Sequence, residues 1–132
     1  MLRVPSPLDD ELETLIHRVI GCCCIEVHRQ LEPGLLEVIS QRAVAYELQA
    51  AAIRCEREKH YPVTYRGHNL YVHSLDIVVE NTLVLELKAV ERLHPVHQAQ
   101  TISSLRASKL PAALLINFNV EVLRQGIRRI VL

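Results

Sequence analysis

Two acidic residues and a lysine lie in a part of the sequence that is otherwise apolar and strand-like. Asp76 precedes a turn-forming sequence centred on Asn81, and Glu86 and Lys88 follow it. If a three-residue loop joins two antiparallel strands here, Asp76 lies directly opposite Glu86 and points to the same face of the sheet. Lys88 shares that face because side chains alternate along a strand. We therefore expect the three charged groups to converge.

The opposite face of this predicted hairpin is apolar throughout. It consists of Leu75, Ile77, Val79, Leu83, Leu85 and Leu87. Because the surrounding strands are apolar, two acids and a lysine beside them destabilise the fold unless the charges are paired or hold an ion. The pattern therefore indicates either an ion pair or a ligand site.

Two neighbouring carboxylates provide the oxygen ligands that Mg²⁺ or Mn²⁺ prefers, and the main-chain carbonyl of Leu87 can supply another. A cation held there polarises a phosphodiester and lowers the pKa of an attacking water. The Lys88 ammonium is placed to orient that water or to offset charge that grows on the phosphate. The spacing thus suits metal-assisted phosphodiester hydrolysis. The structural alternative is a cross-strand salt bridge of Lys88 with Asp76 or Glu86.

The composition bounds the class of protein. The chain has 132 residues, of which 49% are hydrophobic and 23% charged, so residues 1–132 are expected to form a single globular domain. Fifteen basic residues balance fifteen acidic ones, which excludes a strong overall attraction to nucleic acid. With no bilayer-spanning run and no apolar signal block, we expect a cytoplasmic protein without a membrane partner. Whether the chain forms a homo-oligomer stays open.

Three of the four cysteines are consecutive, at positions 22–24, and Cys55 stands alone. Neighbouring residues of a helix point about 100° apart, so three in a row do not converge on one metal ion. We expect reduced thiols, at least two of them buried.

His94 and His97 have helical spacing for a metal pair, but His94 directly before Pro95 is better explained as a helix cap.

Apolar spacing predicts a first helix from a cap at Asp9 or Asp10, after Ser6-Pro7, to about Gln30. A second helix is expected over residues 35–51 after the Pro33-Gly34 break. Its expected buried side is Leu36, Ile39, Ala43, Tyr46 and Leu48.

After the second helix, apolar residues alternate with polar ones instead of recurring at helical spacing. This pattern predicts strands around residues 61–65, 70–79 and 83–89. A third helix begins at Pro95 and ends before Pro111. The apolar run 112–116 is typical of a strand covered on both faces, and 127–131 is a shorter candidate strand. The order α-α-β-β-β-α-β indicates an α/β fold with a mixed central sheet of about four to five strands flanked by helices.

This series of segments resembles a known family. Asp76 followed by Glu86-Leu87-Lys88 resembles the D…ExK signature of the PD-(D/E)xK nuclease superfamily, and the wider pattern resembles its GxxExxY family of small bacterial and archaeal proteins. The resemblance covers about residues 16–131. Its blocks are Glu26-Val27-His28, Pro33-Gly34-Leu35-Leu36-Glu37, Tyr46-Glu47-Leu48, Glu86-Leu87-Lys88-Ala89-Val90-Glu91, His97-Gln98-Ala99-Gln100 and Leu115-Ile116-Asn117-Phe118-Asn119.

The resemblance implies a restriction-endonuclease-like core and a nuclease that uses Mg²⁺ or Mn²⁺ to act on DNA. It adds Glu37 as a further acid at the site and Gln100 as a residue that positions substrate or water. Taken alone, Glu37 is an acid in the first turn of a helix, where the dipole favours it, and Gln100 is a surface glutamine.

The chain departs from the family pattern at several positions. Ser40 stands where the family's tyrosine is expected, and Glu32, Ser74 and Ser104 replace a usual glycine, arginine and tyrosine. These changes support an alternative in which a nuclease fold without turnover serves as a module for binding nucleic acid or protein. A small structural domain with a hairpin salt bridge is the other alternative. Five more residues form either a phosphate-contacting rim or a solvated edge: Arg66, His68, Arg124, Arg128 and Arg129.

Overall fold

A computed structural model describes residues 8–31 and 33–132. Met1 to Pro7, which include the predicted lead-in Ser6-Pro7, and Glu32 lie outside the described residues. The helices are α1 (Asp10–Arg18), α2 (Ile25–Gln30), α3 (Glu37–Ala50) and α4 (Pro95–Ser108), with a π-helical segment (Val19–Cys24) and a 3₁₀ turn (Leu123–Gly126). The strands are β1 (Cys55–Tyr65), β2 (His68–Val79), β3 (Leu83–Lys88), β4 (Ala112–Asn117) and β5 (Ile127–Val131).

The five strands form one mixed sheet in the order β1-β2-β3-β4-β5. The β3–β4 pair is parallel and is connected through α4, whereas the other neighbours are antiparallel. This architecture confirms the predicted α/β fold with a mixed sheet flanked by helices. β1 begins at Cys55, about six residues earlier than the alternation around residues 61–65 predicts.

Two apolar clusters fill the two sides of the sheet. The larger one joins the N-terminal helices and α3 to β3 and β4, through residues such as Ile16, Leu48 and Leu85. The smaller one lies beneath α4 and consists of Leu75, Val78, Val84, Leu105 and Ala113. No helix in the described part of the chain has the length and apolar character needed to cross a membrane.

The first helical stretch follows its prediction from residue 10 to residue 30. Asp9 is the N-cap and accepts a hydrogen bond from the Leu12 N–H at 2.8 Å. The π-helical segment in its middle has no counterpart in the spacing argument, which assumed an uninterrupted α-helix. It buries Cys23 and Cys24 and leaves Cys22 exposed. All four cysteines are free thiols, and burial raises the pKa of Cys23 to about 11 and raises that of Cys24 further.

The helix α3 turns a different side to the core from the predicted one. Leu36, Ile39 and Tyr46 are exposed, so the prediction is wrong for them, whereas it is correct for Leu48. The side that faces the sheet carries Ser40, Gln41, Val44, Ala45 and Leu48. Because two of these residues are polar, the spacing of apolar residues predicted the wrong side of α3 as the one that packs on the sheet.

Strand β2 contains an irregular point at Asp76. The β1–β2 ladder pairs Arg57 with Ile77 and Lys59 with Leu75, but it omits the intervening Glu58 and Asp76. Glu58 adopts a left-handed conformation, with φ of 53°. Simple alternation predicted that Leu75 and Ile77 share a face. The structure instead buries Leu75 in the cluster under α4 and Ile77 in the other, because the alternation is interrupted between them.

The start of α4 is capped by its own histidines. The main-chain N–H of His94 donates to Nδ1 of His97 at 2.9 Å, and His94 occupies the N-cap position before Pro95. The helix ends at Lys109, which has a left-handed conformation. The expected cap at this position is confirmed.

Candidate functional site

The charged hairpin lies where two strands separate. β2 pairs with β3 over Ile77–Val79, whereas β3 continues in parallel with β4 as far as Lys88, which pairs with Asn117. The loop between β2 and β3 contains three residues, as predicted, with Glu80 and Asn81 at positive φ. A split therefore opens between β2 and β3 just beyond Ile77, and Asp76 and Glu86 are the first residues on its two sides.

Asp76 spans this split, and hydrogen bonds hold both its carboxylate and its main-chain oxygen. Its Oδ2 accepts a hydrogen bond from the Leu87 N–H at 2.8 Å, in place of a main-chain ladder bond. Its main-chain oxygen accepts from Nε2 of Gln41 at 3.0 Å, and Oε1 of Gln41 accepts from Arg57 at 3.3 Å. The Asp76 carboxylate is thus held by β3 and its main chain by α3, and Gln41 of α3 is in turn bonded to β1.

Gln41 is a functional residue that the sequence analysis did not identify. It is buried on the side of α3 that faces the sheet, and its two hydrogen bonds satisfy the amide there. The sequence analysis predicted a different buried side for α3, so it did not consider Gln41 as a buried polar residue. Its position four residues after Glu37, on the same side of a helix, is the clue that could have identified it.

Glu86 is the most strongly perturbed acid of the cluster. Its Oε1 is buried and has no hydrogen-bond partner, unlike any other buried side-chain oxygen or nitrogen in the described residues. Burial raises the pKa of Glu86 to about 8; repulsion from Asp76 and Glu37 adds to the shift, and Lys88 opposes it. A buried acceptor without a donor fits a bound cation, because burial of an unpaired carboxylate is costly.

The pKa of Asp76 is also raised. Burial is the largest cause, and Glu37 and Glu58 repel the charge, whereas the Leu87 N–H and Lys88 favour it. The Lys88 charge therefore lowers the pKa of both acids, and Asp76 raises that of Glu86. Burial is thus the largest cause of the raised pKa of both carboxyls, and repulsion between neighbouring acids adds to it.

Glu37 and Lys88 border the cluster. Glu37 is exposed at the first residue of α3, and its Oε1 accepts a hydrogen bond from the Ala89 N–H at 3.3 Å, at the end of β3. Lys88 is partly buried, and its main-chain oxygen accepts from the Phe118 N–H at 2.9 Å. Among the ion pairs of residues 8–31 and 33–132, none joins Lys88 to Asp76 or Glu86, so the alternative cross-strand salt bridge is not formed.

Asn117 is a second residue that the spacing argument did not single out. It is buried at the end of β4; its Oδ1 accepts from the N–H groups of Val90 and Asn119 at 3.1 Å, and its Nδ2 donates to the Val90 oxygen at 2.9 Å. These bonds fasten the segment that follows Lys88. An asparagine directly after a fully apolar strand is the signal that could have marked it.

Gln100 lies in α4 with its side chain exposed, and its main-chain oxygen accepts from the Ser104 hydroxyl at 3.1 Å. No hydrogen bond found in the described part of the chain joins its side chain to the acids. The roles of Gln100 and of the Leu87 carbonyl stay predictions.

The side chains as they stand do not form a closed cage. Within the described ranges, no three His, Cys, Asp or Glu side chains are arranged to hold a metal ion together. Asp76 and Glu86 as a pair of metal ligands stay a prediction, and the unpartnered Oε1 of Glu86 supports it. Main-chain oxygen or water completes such a set in oxygen-ligated cation sites.

The rim of five basic residues is not formed as one surface. Arg66 and His68 lie at the β1–β2 turn, whereas Arg128 and Arg129 lie in β5 at the opposite edge of the sheet. Arg129 also pairs with Glu13 at 2.6 Å, and Arg128 donates to main-chain oxygens. The two groups lie at opposite edges of the sheet, which favours the interpretation as solvated edges.

Comparison with protein families agrees with this fold. The five-stranded mixed sheet flanked by helices is consistent with a restriction-endonuclease-like fold. The family model of the PD-(D/E)XK nuclease superfamily matches residues 13–130, and the chain therefore belongs to this superfamily. No curated protein and no solved structure matched the chain. Membership indicates a nuclease-like function and a nucleic-acid substrate.

Proposed function

We propose that this protein is a Mg²⁺- or Mn²⁺-dependent phosphodiesterase that acts on DNA, within the GxxExxY family of the superfamily. The observation that carries the proposal is the state of Glu86, whose buried Oε1 has no donor and whose pKa is raised to about 8 beside Asp76. A buried carboxyl in this state is stabilised either by protonation or, when it is ionised, by a bound cation.

Asp76 and Glu86 would hold the cation, with the Leu87 carbonyl as a further oxygen. When bound, the cation supplies Lewis-acid activation of the phosphodiester. The chain's own contribution is to keep Asp76 fixed through Gln41 and the Leu87 N–H, so that the two carboxylates retain their spacing.

Lys88 supplies positive charge next to the two acids, and it would stabilise the negative charge that grows on the phosphate or orient the attacking water. Glu37 acts as an accessory acid at the end of β3, through its contact with the Ala89 N–H. Gln100 would position the substrate or the attacking water from α4.

The test is a cleavage assay on labelled DNA with Mg²⁺ or Mn²⁺, with RNA as a second substrate. Removal of a catalytic charge-stabilising group costs on the order of a hundredfold or more in rate, so Glu86→Gln and Lys88→Ala should both lose cleavage. Glu11→Gln, the same amide change at an exposed glutamate of α1, is the control and should cleave as wild type does. Cleavage that persists in Glu86→Gln would contradict the proposal.

A nuclease fold that binds without turnover is the second candidate function. It is favoured by Ser40 and Ser104, both buried, where the family resemblance leads one to expect tyrosine. The Ser104 hydroxyl donates to the Gln100 oxygen of its own helix. Nucleic-acid binding by wild type, together with no cleavage in either metal, would establish this candidate instead.

A further inference from the structure

Beyond the irregular point at Asp76, the β1–β2 hairpin continues as a two-stranded arm, defined here as residues 60–73. Its ladder runs from His60, opposite Ser74, to Tyr65, opposite His68, with a register shift between Val63 and Thr64. Within the described sheet, the arm strands pair only with each other. At about 3.3 Å per residue, its six residues on β1 extend roughly 20 Å.

The composition of the arm differs from that of the rest of the chain. The chain has fifteen acidic residues, but none lies in residues 60–73, which contain three of the four tyrosines and three of the seven histidines. Tyr65 is 59% exposed and Tyr71 is 66% exposed. A segment without acids that presents aromatic rings to solvent is suited to a partner that is anionic and has flat faces.

The exposed rings are supported by neighbouring polar groups. The Arg66 guanidinium lies over the Tyr65 ring, 5.5 Å from its centroid. Tyr71 and His73 are in edge-to-face contact, with centroids 5.8 Å apart. Each tyrosine therefore carries a hydrogen-bond donor or a cation beside a ring that is open to solvent, as in stacking sites for nucleobases.

The irregular point at Asp76 places the Tyr71 ring on the same side of the sheet as Glu86. Leu75 packs in the cluster under α4 together with Val84. By alternation, Tyr71 and His73 share the side of Leu75, and Glu86 shares the side of Val84. Tyr71 and Glu86 are therefore on one face of the sheet. Tyr71 is five residues from Asp76 along β2, about 17 Å.

We propose that the arm binds an unpaired nucleic-acid strand by stacking its bases on Tyr65 and Tyr71, and directs the backbone towards Asp76 and Glu86. This inference rests on the proposed nuclease function and specifies its substrate as single-stranded. Duplex binding relies on many phosphate contacts, and a chain with a net charge of zero offers few. Base stacking needs unpaired bases and exposed rings, which the arm provides.

The experiment is fluorescence anisotropy with short labelled single strands and duplexes, without divalent cations, so that cleavage does not interfere. Tyr65→Ala and Tyr71→Ala should each weaken single-strand binding about 5- to 150-fold, the range for loss of one stacked base. Tyr46→Ala is the matched control, since this tyrosine is 69% exposed but lies on α3; its binding should equal that of wild type.

Equal binding of single strands by wild type and both arm variants would overturn the proposal, as would the absence of single-strand binding in wild type. A preference for duplex that Arg66→Ala abolishes would also overturn it. So would self-association through the arm, seen by sedimentation as a dimer lost in Tyr71→Ala, without arm-dependent strand binding. Arm-dependent binding without cleavage by wild type in Mg²⁺ or Mn²⁺ would remove the nuclease function and leave the binding role of the arm standing.

Discussion

At the scale of single residues, the site is dominated by the free energy of placing Glu86 in an apolar sheet. The structure satisfies Asp76 with the Leu87 N–H but leaves Oε1 of Glu86 without a donor. A carboxyl in this state favours its protonated form, and each unit of pKa shift corresponds to about 1.4 kcal/mol. The metal-free fold therefore carries a pH-dependent destabilisation that can be measured.

The first prediction concerns this pH dependence. The pKa of Glu86 is about 8 in the folded chain and near 4.5 as a reference. Between these values the unfolded chain releases a proton that the folded chain retains, so the free energy of unfolding should fall as pH rises from about 4.5 to about 8. Denaturant titrations of metal-free protein across this window measure the slope.

Glu86→Gln removes this ionisation and should flatten most of the slope. Asp76 contributes in the same direction, because its pKa is also raised, so a smaller slope should remain. Parallel curves for wild type and Glu86→Gln would show that burial does not perturb this carboxyl.

The second prediction concerns Gln41. Gln41→Leu keeps a side chain of similar size but leaves the main-chain oxygen of Asp76 and the Arg57 guanidinium without this partner. We expect the free energy of unfolding to fall by about 1–3 kcal/mol, the usual cost of an unsatisfied buried group. Metal affinity, measured by calorimetry, should fall about 10- to 100-fold, as for residues that orient metal ligands.

The control for this variant is Gln49→Leu, the same change at an exposed position of α3. It should leave both stability and metal affinity near the wild-type values. If the two variants behave alike, Gln41 has no positioning role.

At the scale of elements, the site depends on the segment that follows β3. Asn117 fastens this segment to β4 by two hydrogen bonds to Val90, and a third bond joins it to the Asn119 N–H. The third prediction is that Asn117→Ala lowers the free energy of unfolding by about 1–3 kcal/mol, because the Val90 main-chain groups lose their partners. Asn119→Ala, which removes one side-chain bond to the Val90 oxygen, should cost less. Thermal and denaturant unfolding compare the two; an equal loss in both variants contradicts the assignment.

The elements also show which features the sequence can predict. The alternation of strands predicted the three-residue loop and the register that places Asp76 and Glu86 on facing strands, because both follow from local spacing. The same reasoning failed for Leu75, since alternation assumes an uninterrupted strand and Glu58 at positive φ breaks the ladder opposite Asp76. Gln41 of α3 bonds the main-chain oxygen at this interruption, a contact between residues 35 positions apart that local spacing does not contain.

The helix α3 illustrates a second limit. Apolar spacing favoured Leu36, Ile39 and Tyr46 as its buried side, but the sheet selects the side that carries Gln41. A buried glutamine is tolerated only where its partners exist, and those partners, Asp76 and Arg57, come from two strands later in the chain. Local sequence does not contain this information.

At the scale of the whole molecule, a bound cation should act on the stability of the entire fold. The fourth prediction is that Mg²⁺ or Mn²⁺ raises the melting temperature, because the ion binds the native pair of acids and not the dispersed acids of the unfolded chain. At about a hundred times Kd, the gain is about 2.7 kcal/mol. Thermal melts with and without each metal measure it.

Asp76→Asn is the decisive variant for this prediction. Asparagine keeps an acceptor for the Leu87 N–H but removes a charge, so metal-free stability should hold or rise while the gain from metal disappears. If neither metal raises the melting temperature of wild type and Asp76→Asn is plainly destabilised, the hairpin acids are structural.

The uneven burial of the cysteines provides a built-in reporter of folding. Cys22 is exposed on the π-helical segment, whereas Cys23 and Cys24 are buried with raised pKa values, and the pKa of the partly buried Cys55 is raised too. A thiol-reactive dye at neutral pH should therefore attach first to Cys22, because the thiolate is the reacting form and access is needed. The slower labelling of Cys23 and Cys24 would time the opening of the first helical stretch, without any engineered label.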